Sequence, residues 1–310
     1  MFAPILTTVL PVFLLIGLGQ ALMRLKLAGP EFFQTSDRLV YYIFFPALLF
    51  WKIGAAGPRL DAQPGLIAAV LGTVLITWLL SVAWCAWRRV SAFQAGSFSQ
   101  VCYRFNTYVG MAVVVAGFGE PGVATFGIII SLAIPFINVL AVSTLIWFSQ
   151  AEYPLMAKLR LGAKALVVNP LILACLAGLA WARFAPPLPE FVVRAFSLLS
   201  AISLPLALLS IGAGLSLAKL PGRVQLSLVS CVFKLVLMPL VGWALLRLAG
   251  VDRLEMAVAM VFFCLPTATS AYILSAQMGS DADLAGAAIV LCTLLSFFSL
   301  SWVLVVFGAG

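Results

Sequence analysis

The chain has 310 residues, of which 64% are apolar and 9% charged, against roughly 25% charged in a soluble domain. Too few polar side chains exist to cover a water-soluble globule, so the composition excludes one and reads as an integral membrane protein. The net charge of +8 is spread thinly over loops, where it acts as a topology signal rather than a nucleic-acid footprint.

A bilayer crossing takes about 20 apolar residues. Ten stretches fit, at roughly 3–23, 37–56, 66–87, 96–118, 122–148, 164–183, 194–217, 225–246, 256–278 and 284–307. In the second, only 13 residues separate Arg38 from Lys52, both able to snorkel to the interface. The first span has no basic residue before it and Arg24 and Lys26 after it, the reverse of a cleavable signal peptide. With the N-terminus outside, ten basic residues fall in inner loops and six in outer loops, the direction the positive-inside rule requires. Ten spans return the C-terminus to the outside.

A shift of 159 residues superimposes Pro11 on Pro170, Gly19 on Gly178 and Pro46 on Pro205. At 160, Asn106 meets Pro266 and Gly119 meets Gly279. The offset is kept by three pairs of spans (1/6, 2/7 and 4/9), which reads as a duplication of residues 1–148 in 164–310 around a short cytoplasmic linker, 149–163. Each copy holds five spans. Five is odd, so the second copy enters from the opposite side. The expected fold is an all-α integral membrane protein with ten transmembrane helices in a 5+5 inverted-topology repeat, an architecture of secondary transporters.

Interruptions are expected at corresponding places in spans four and nine. Span four carries Tyr103, Arg104, Asn106, Thr107 and Tyr108 before Gly110; span nine carries Pro266 before Thr267, Thr269, Ser270 and Tyr272. Proline removes a backbone donor, and glycine or asparagine eases the chain out of helical geometry. If both spans break, each second half-helix presents unpaired N–H groups near mid-membrane, which suits an anion. Thr107, Thr267 and Thr269 would add hydroxyls, and Asn106 can donate and accept. The bland alternative is two kinked helices whose hydroxyls bond their own backbones.

Two cations, Arg104 and Lys234, lie inside spans, where a charge is costly and marks a functional site by default. Arg104 either serves that site or snorkels to the cytoplasmic surface; Lys234 is expected to face a cavity or bond a carbonyl. Asn138 in span five either contacts substrate or bonds a neighbouring helix. The ten acidic residues all fall in loops or at span ends, so neither a proton-relaying carboxylate nor a carboxylate-based sodium site is expected. Histidine is absent and the six cysteines are scattered singly, leaving no metal site, disulfide framework or cofactor to expect. Without histidine, an H-E-x-x-H motif or an intramembrane aspartate pair, a membrane-embedded enzyme is the weaker reading; Asp281-x-Asp283 is expected to cap a helix. A channel should show polar rings or a repeated filter, and neither is present.

At these residues the chain resembles the auxin efflux carrier family, bacterial type, within the wider group that includes bile acid sodium symporters. The resemblance runs over nearly all the chain, through LVYYIFFPALLF, RFNTYVG, VVNPLILACLAG, LPLALLSIGAGL, VFKLVLMPL and LPTATSAYILSAQMGSDADLAGAAIVLCTLLS. It implies broken crossover helices four and nine, with Asn106, Thr107 and Gly110 at one crossing segment and Pro266 at the other. Gly110 comes one residue early for the family's N-T-x-x-x-G spacing. It further implies a panel of spans 1, 2, 6 and 7, and a transport part of spans 3–5 and 8–10 that moves in an elevator-like manner. The implied cargo is a small organic anion, either a carboxylate such as malate or malonate or an auxin-like acid. The implied location is the bacterial inner membrane. The lipid bilayer is the other expected partner, nucleic acid is not one, and a homodimer is left open.

Overall fold

A computed structural model of the chain describes residues 5–55, 64–148, 169–186, 188–215 and 222–307. The expected linker 149–163 and the first residues of the sixth expected span lie outside them. The described residues are helical, with no strand among them.

Helix α1 (Leu10–Arg24) is entered through a π-type turn, Ile5–Val9. Helix α2 (Pro30–Ala55) starts on a proline, whose fixed φ suits the first turn, and contains a π-type turn at Val40–Phe44. Helix α3 is Pro64–Trp87 and α4 is Ala92–Tyr103. The run Thr107–Phe148 is broken at Gly119 (φ 60°, ψ −153°) into α5, 107–118, and α6, 120–148. Helix α7 is Pro170–Phe184, with Asn169 accepting from the Leu171 and Ile172 amides. Helices α8 (Glu190–Gly214) and α9 (Val224–Ala249) follow, the latter with a π-type turn at Phe233–Leu237. Then come α10 (Arg253–Cys264), α11 (Ser270–Gln277) and α12 (Ala282–Phe307). Each π-type turn ends two residues before a proline: Pro11, Pro46 and Pro239. A proline ring clashes with the carbonyl four residues back, and widening that turn relieves the clash without breaking the rod.

Among the described residues seven helical runs are long and apolar enough to cross a membrane, and Pro170–Phe184 is a shorter apolar helix. The sequence leads to ten spans, and the difference has a physical origin. Ala92–Phe148 counts as one apolar run of 57 residues, far longer than the roughly 20 that one crossing needs. Helices α10 and α11 have 12 and 8 residues, each too short to cross alone. Large apolar side chains such as Leu14, Trp147, Leu240 and Trp302 stand exposed on the outer surface, as a lipid-facing wall requires.

Helix α1 packs on α8, and α2 on α7. Both contacts use bare backbone. A Cβ on Gly19 would lie 1.9 Å from the Leu209 carbonyl oxygen, and one on Gly212 1.8 Å from that of Ile16. In the other pair, a Cβ on Gly178 would lie 3.0 Å from the Phe50 carbonyl oxygen. Without a hydrophobic drive between helices in lipid, such close approach is what holds them. Lys52 on α2 is ion-paired with Glu120 at the head of α6. Asp281 accepts from the Leu284 amide as the expected cap of α12 and also pairs with Arg223 at 2.9 Å.

Candidate functional site

The helical hydrogen-bond ladder stops twice in mid-chain, and the two stops meet. Arg104, Phe105 and Asn106 are non-helical between α4 and α5, and 265–269 are non-helical between α10 and α11. Pro266 explains the second stop, since it has no amide to donate. The Asn106 amide instead donates to the Pro266 carbonyl at 2.9 Å. All of 101–106 and 261–267 are buried, so each backbone group there must find a partner.

The four helix ends at this junction are treated differently. At the start of α5, Asn106 Oδ1 accepts from the amides of Tyr108 (3.1 Å) and Val109 (3.2 Å), and its carbonyl accepts from Gly110 (3.0 Å). Asn106 is therefore an N-cap, and this helix start is largely closed by its own side chain rather than open, as two facing N-termini would require. At the end of α10, Lys234 Nζ donates to the Phe263 carbonyl (3.1 Å) and contacts Met238 Sδ (3.2 Å), while Ser299 Oγ donates to the Cys264 carbonyl (3.0 Å). Lys234 is fully enclosed, with 0% exposure. Of its two expected roles it takes the carbonyl-bonding one. Replacing Lys234 with methionine leaves the Phe263 carbonyl short of a donor, at about 1–3 kcal/mol. It also removes a buried ammonium whose desolvation costs several kcal/mol, and the larger effect wins. K234M is thus expected to melt no lower than wild type while the α10 end loosens and substrate movement falls. A lower melting midpoint with undiminished movement would reverse both conclusions.

At the start of α11 the Ala271 and Tyr272 amides turn back to the Ala268 and Thr269 carbonyls, at 3.0 and 3.1 Å. Thr269 and Ser270 are exposed and no side chain caps the helix. Arg104 reaches this end from across the junction: Nη2 donates to Ser270 Oγ (3.1 Å) and to Asn138 Oδ1 (2.9 Å). Its side chain does not run to the surface, since Arg104 is 7% exposed and Nε and Nη1 are buried without a partner. Arg104 takes part in none of the ion pairs Lys52–Glu120, Arg194–Glu190 and Arg223–Asp281. A buried cation met only by neutral oxygens lacks the counter-charge that would balance its desolvation.

Of the remaining residues singled out in the sequence, Thr267 is fully buried with its hydroxyl unpartnered. Thr107 and Tyr108 are half-buried, and the Tyr108 ring stands edge-on to Phe45 with centroids 4.7 Å apart. Gly110 lies inside α5 rather than in the break. A Cβ there would come within 2.5 Å of Phe126 Cζ and 2.6 Å of Leu265 Cδ1, so its role is close packing behind the junction. Two features escaped the sequence reading. Ser97 and Gln100 on α4 bond Ser275 on α11 at 2.7 and 2.8 Å, a buried polar seam between the two half-helices; the spacing of 97 and 100 on one helical face was its only signal. Asp37 lies two turns inside α2 instead of at a span end, because the helix begins at Pro30. It lies beside Ser210 on α8 and, with Tyr41, stands within electrostatic reach of Tyr108.

The family described as "Membrane transport protein" matches residues 154–304. Over 317 positions the chain is 27% identical to a protein of Rhizobium meliloti (strain 1021) named "Putative malonate transporter", covering 99% of this chain and 97% of that one. The chain is thus similar to membrane transport proteins over its second half, and to that relative over nearly its whole length. It is accordingly a multi-pass membrane transport protein. The family match covers the second break and both of its flanking half-helices, and the relative's alignment extends over the first break as well.

Proposed function

We propose that the protein is a secondary carrier for a small organic anion, a carboxylate of the malonate or malate kind or an auxin-like acid, bound where the two interrupted spans meet. The observation that carries this reading is Arg104, a buried cation without a counter-ion, placed at the uncapped start of α11. An anion there gains both the guanidinium and the positive end of a helix dipole. Thr107, Tyr108, Asn138, Thr267, Thr269 and Ser270 surround the junction as further binding residues, with Asn106 and Pro266 tying its two strands together and Gly110 and Lys234 supporting it from behind. The name of the Rhizobium relative supports a carboxylate as cargo.

The alternating-access part of the proposal rests on ten spans in two inverted copies, 1–148 and 164–310. Three observations support it. Gly119 and Gly279, 160 apart, share a positive φ (60° and 67°). The Asn106–Pro266 bond joins positions related by that same offset. Gly19 on Leu209 and Gly178 on Phe50 are one contact with its partners exchanged by 159 residues. In this arrangement α1, α2, α7 and α8 form the panel, the remaining helices move against it as an elevator, and both termini lie outside the inner membrane. Purified protein in liposomes is expected to show saturable uptake of one or more carboxylates, without sodium, accelerated by the same anion on the far side. Uptake that never saturates and shows no counterflow would make it a channel, and no carboxylate uptake at all would remove the anion site.

A further inference from the structure

We infer that the site admits a single negative charge, so that a dicarboxylic acid is carried as its half-protonated monoanion; this rests on the carrier reading above and specifies its substrate. The inference comes from what surrounds the junction. Arg104 is the buried cation among the described residues that reaches an exposed polar group: its Nη2 donates to the exposed Ser270 and the half-buried Asn138. The other buried cation, Lys234, is sealed at 0% exposure and already held by the Phe263 carbonyl and Met238 Sδ. Of the two helix starts, that of α5 has two of its amides taken up by Asn106 Oδ1, while that of α11 has no side-chain cap. One guanidinium and the positive end of one short helix therefore stand at the junction, enough for one carboxylate.

A second ionised carboxylate finds no such partner. The groups placed to meet it are hydroxyls, the Asn138 amide and, from α2, Asp37, which stands within electrostatic reach of Tyr108. A protonated carboxyl is a different matter, because it donates one hydrogen bond and accepts others. Thr267 Oγ1 is buried without a partner, and Tyr108 and Thr107 are half-buried beside the same break. The titrating group is the substrate's own. On the protein side Tyr103 on α4 lies within electrostatic reach of Arg104, α6 and α11 present the non-titrating Asn138 and Ser270, and Asp37 and Tyr41 on α2 lie within reach of Tyr108.

The test is uptake into liposomes of malonate, monomethyl malonate and dimethyl malonate, at equal pH on both sides, across the range in which the second carboxyl of malonate titrates. The half-ester is a monoanion throughout that range, so it reports any effect of pH on the protein itself. Malonate uptake divided by half-ester uptake is expected to rise tenfold for each tenfold rise in the monoanion fraction, with half-ester uptake itself flat and the neutral diester not taken up by the carrier. Malonate uptake that grows with full ionisation, or refusal of the half-ester by protein that takes malonate, overturns the monoanion inference while leaving the carrier standing. Failure to take up any of the three overturns both.

Discussion

Replacing Gly212 with alanine is expected to remove most of the stably folded protein, while the same replacement at Gly17 leaves it as stable or more so. The two glycines lie in the packed pair α8 and α1, and both changes add a single methyl group. At Gly17 that methyl would meet nothing within 4 Å, and an exposed helical glycine gains about 1 kcal/mol by becoming alanine. At Gly212 the Cβ would sit 1.8 Å from the Ile16 carbonyl oxygen and 2.7 Å from its carbon. Backbone cannot turn aside as a side chain can, so the helices must part. Overpacking costs about 1–3 kcal/mol when side chains give way, and more when they cannot; about 3 kcal/mol or above is expected here. Gly19, facing Leu209 at 1.9 Å, should behave like Gly212. The measurement is the monodisperse fraction after graded heating in detergent. Equal behaviour of G17A and G212A would mean that the α1–α8 contact is not what holds these helices together.

These glycines also show what a sequence of this kind discloses. Gly19 and Gly178 drew attention because they repeat at a fixed offset, and that offset was visible in the letters. Their contact partners were not, because any residue supplies a carbonyl and Leu209, Ile16 and Phe50 carry no distinguishing mark. The breaks follow the same division. Pro266 announces its own break, as proline must. Asn106 announces a change of backbone, but its side chain serves the adjacent helix start rather than an open site, a choice decided by which way one amide turns. Arg104 was legible as a charge at an improbable depth. That it turns to Ser270 on a helix 166 residues away could not be read from hydropathy, which records depth along one span and says nothing about the neighbouring span. The start of α2 was misplaced for a similar reason: Pro30, Glu31, Asp37 and Arg38 look like loop, yet proline at the first position and an acid in the first turn are helix-start signals. That misplacement hid an acidic side chain within electrostatic reach of Tyr108.

Asn106 is where cap and charge can be separated by experiment. In Asn106→Ala the Tyr108 and Val109 amides lose their acceptor, and a lost N-cap costs about 1 kcal/mol; a modest fall in the melting midpoint is expected, together with loss of uptake as the start of α5 frays. In Asn106→Asp a carboxylate oxygen replaces the amide oxygen at 3.1 and 3.2 Å from those donors, and a negative charge at a helix start is favourable, so the midpoint should hold. Uptake should not. The new charge stands two residues from Arg104 on extended backbone. At roughly 6 Å and an effective dielectric of about 20, its repulsion of a bound anion is about 3 kcal/mol, or about a hundredfold in affinity. Stability and binding therefore part company in the aspartate variant and fall together in the alanine variant. Wild-type uptake by N106D would move the anion away from this junction altogether. A midpoint that falls in N106D as far as in N106A would instead identify the amide NH2, and not the capping oxygen, as the group the fold depends on.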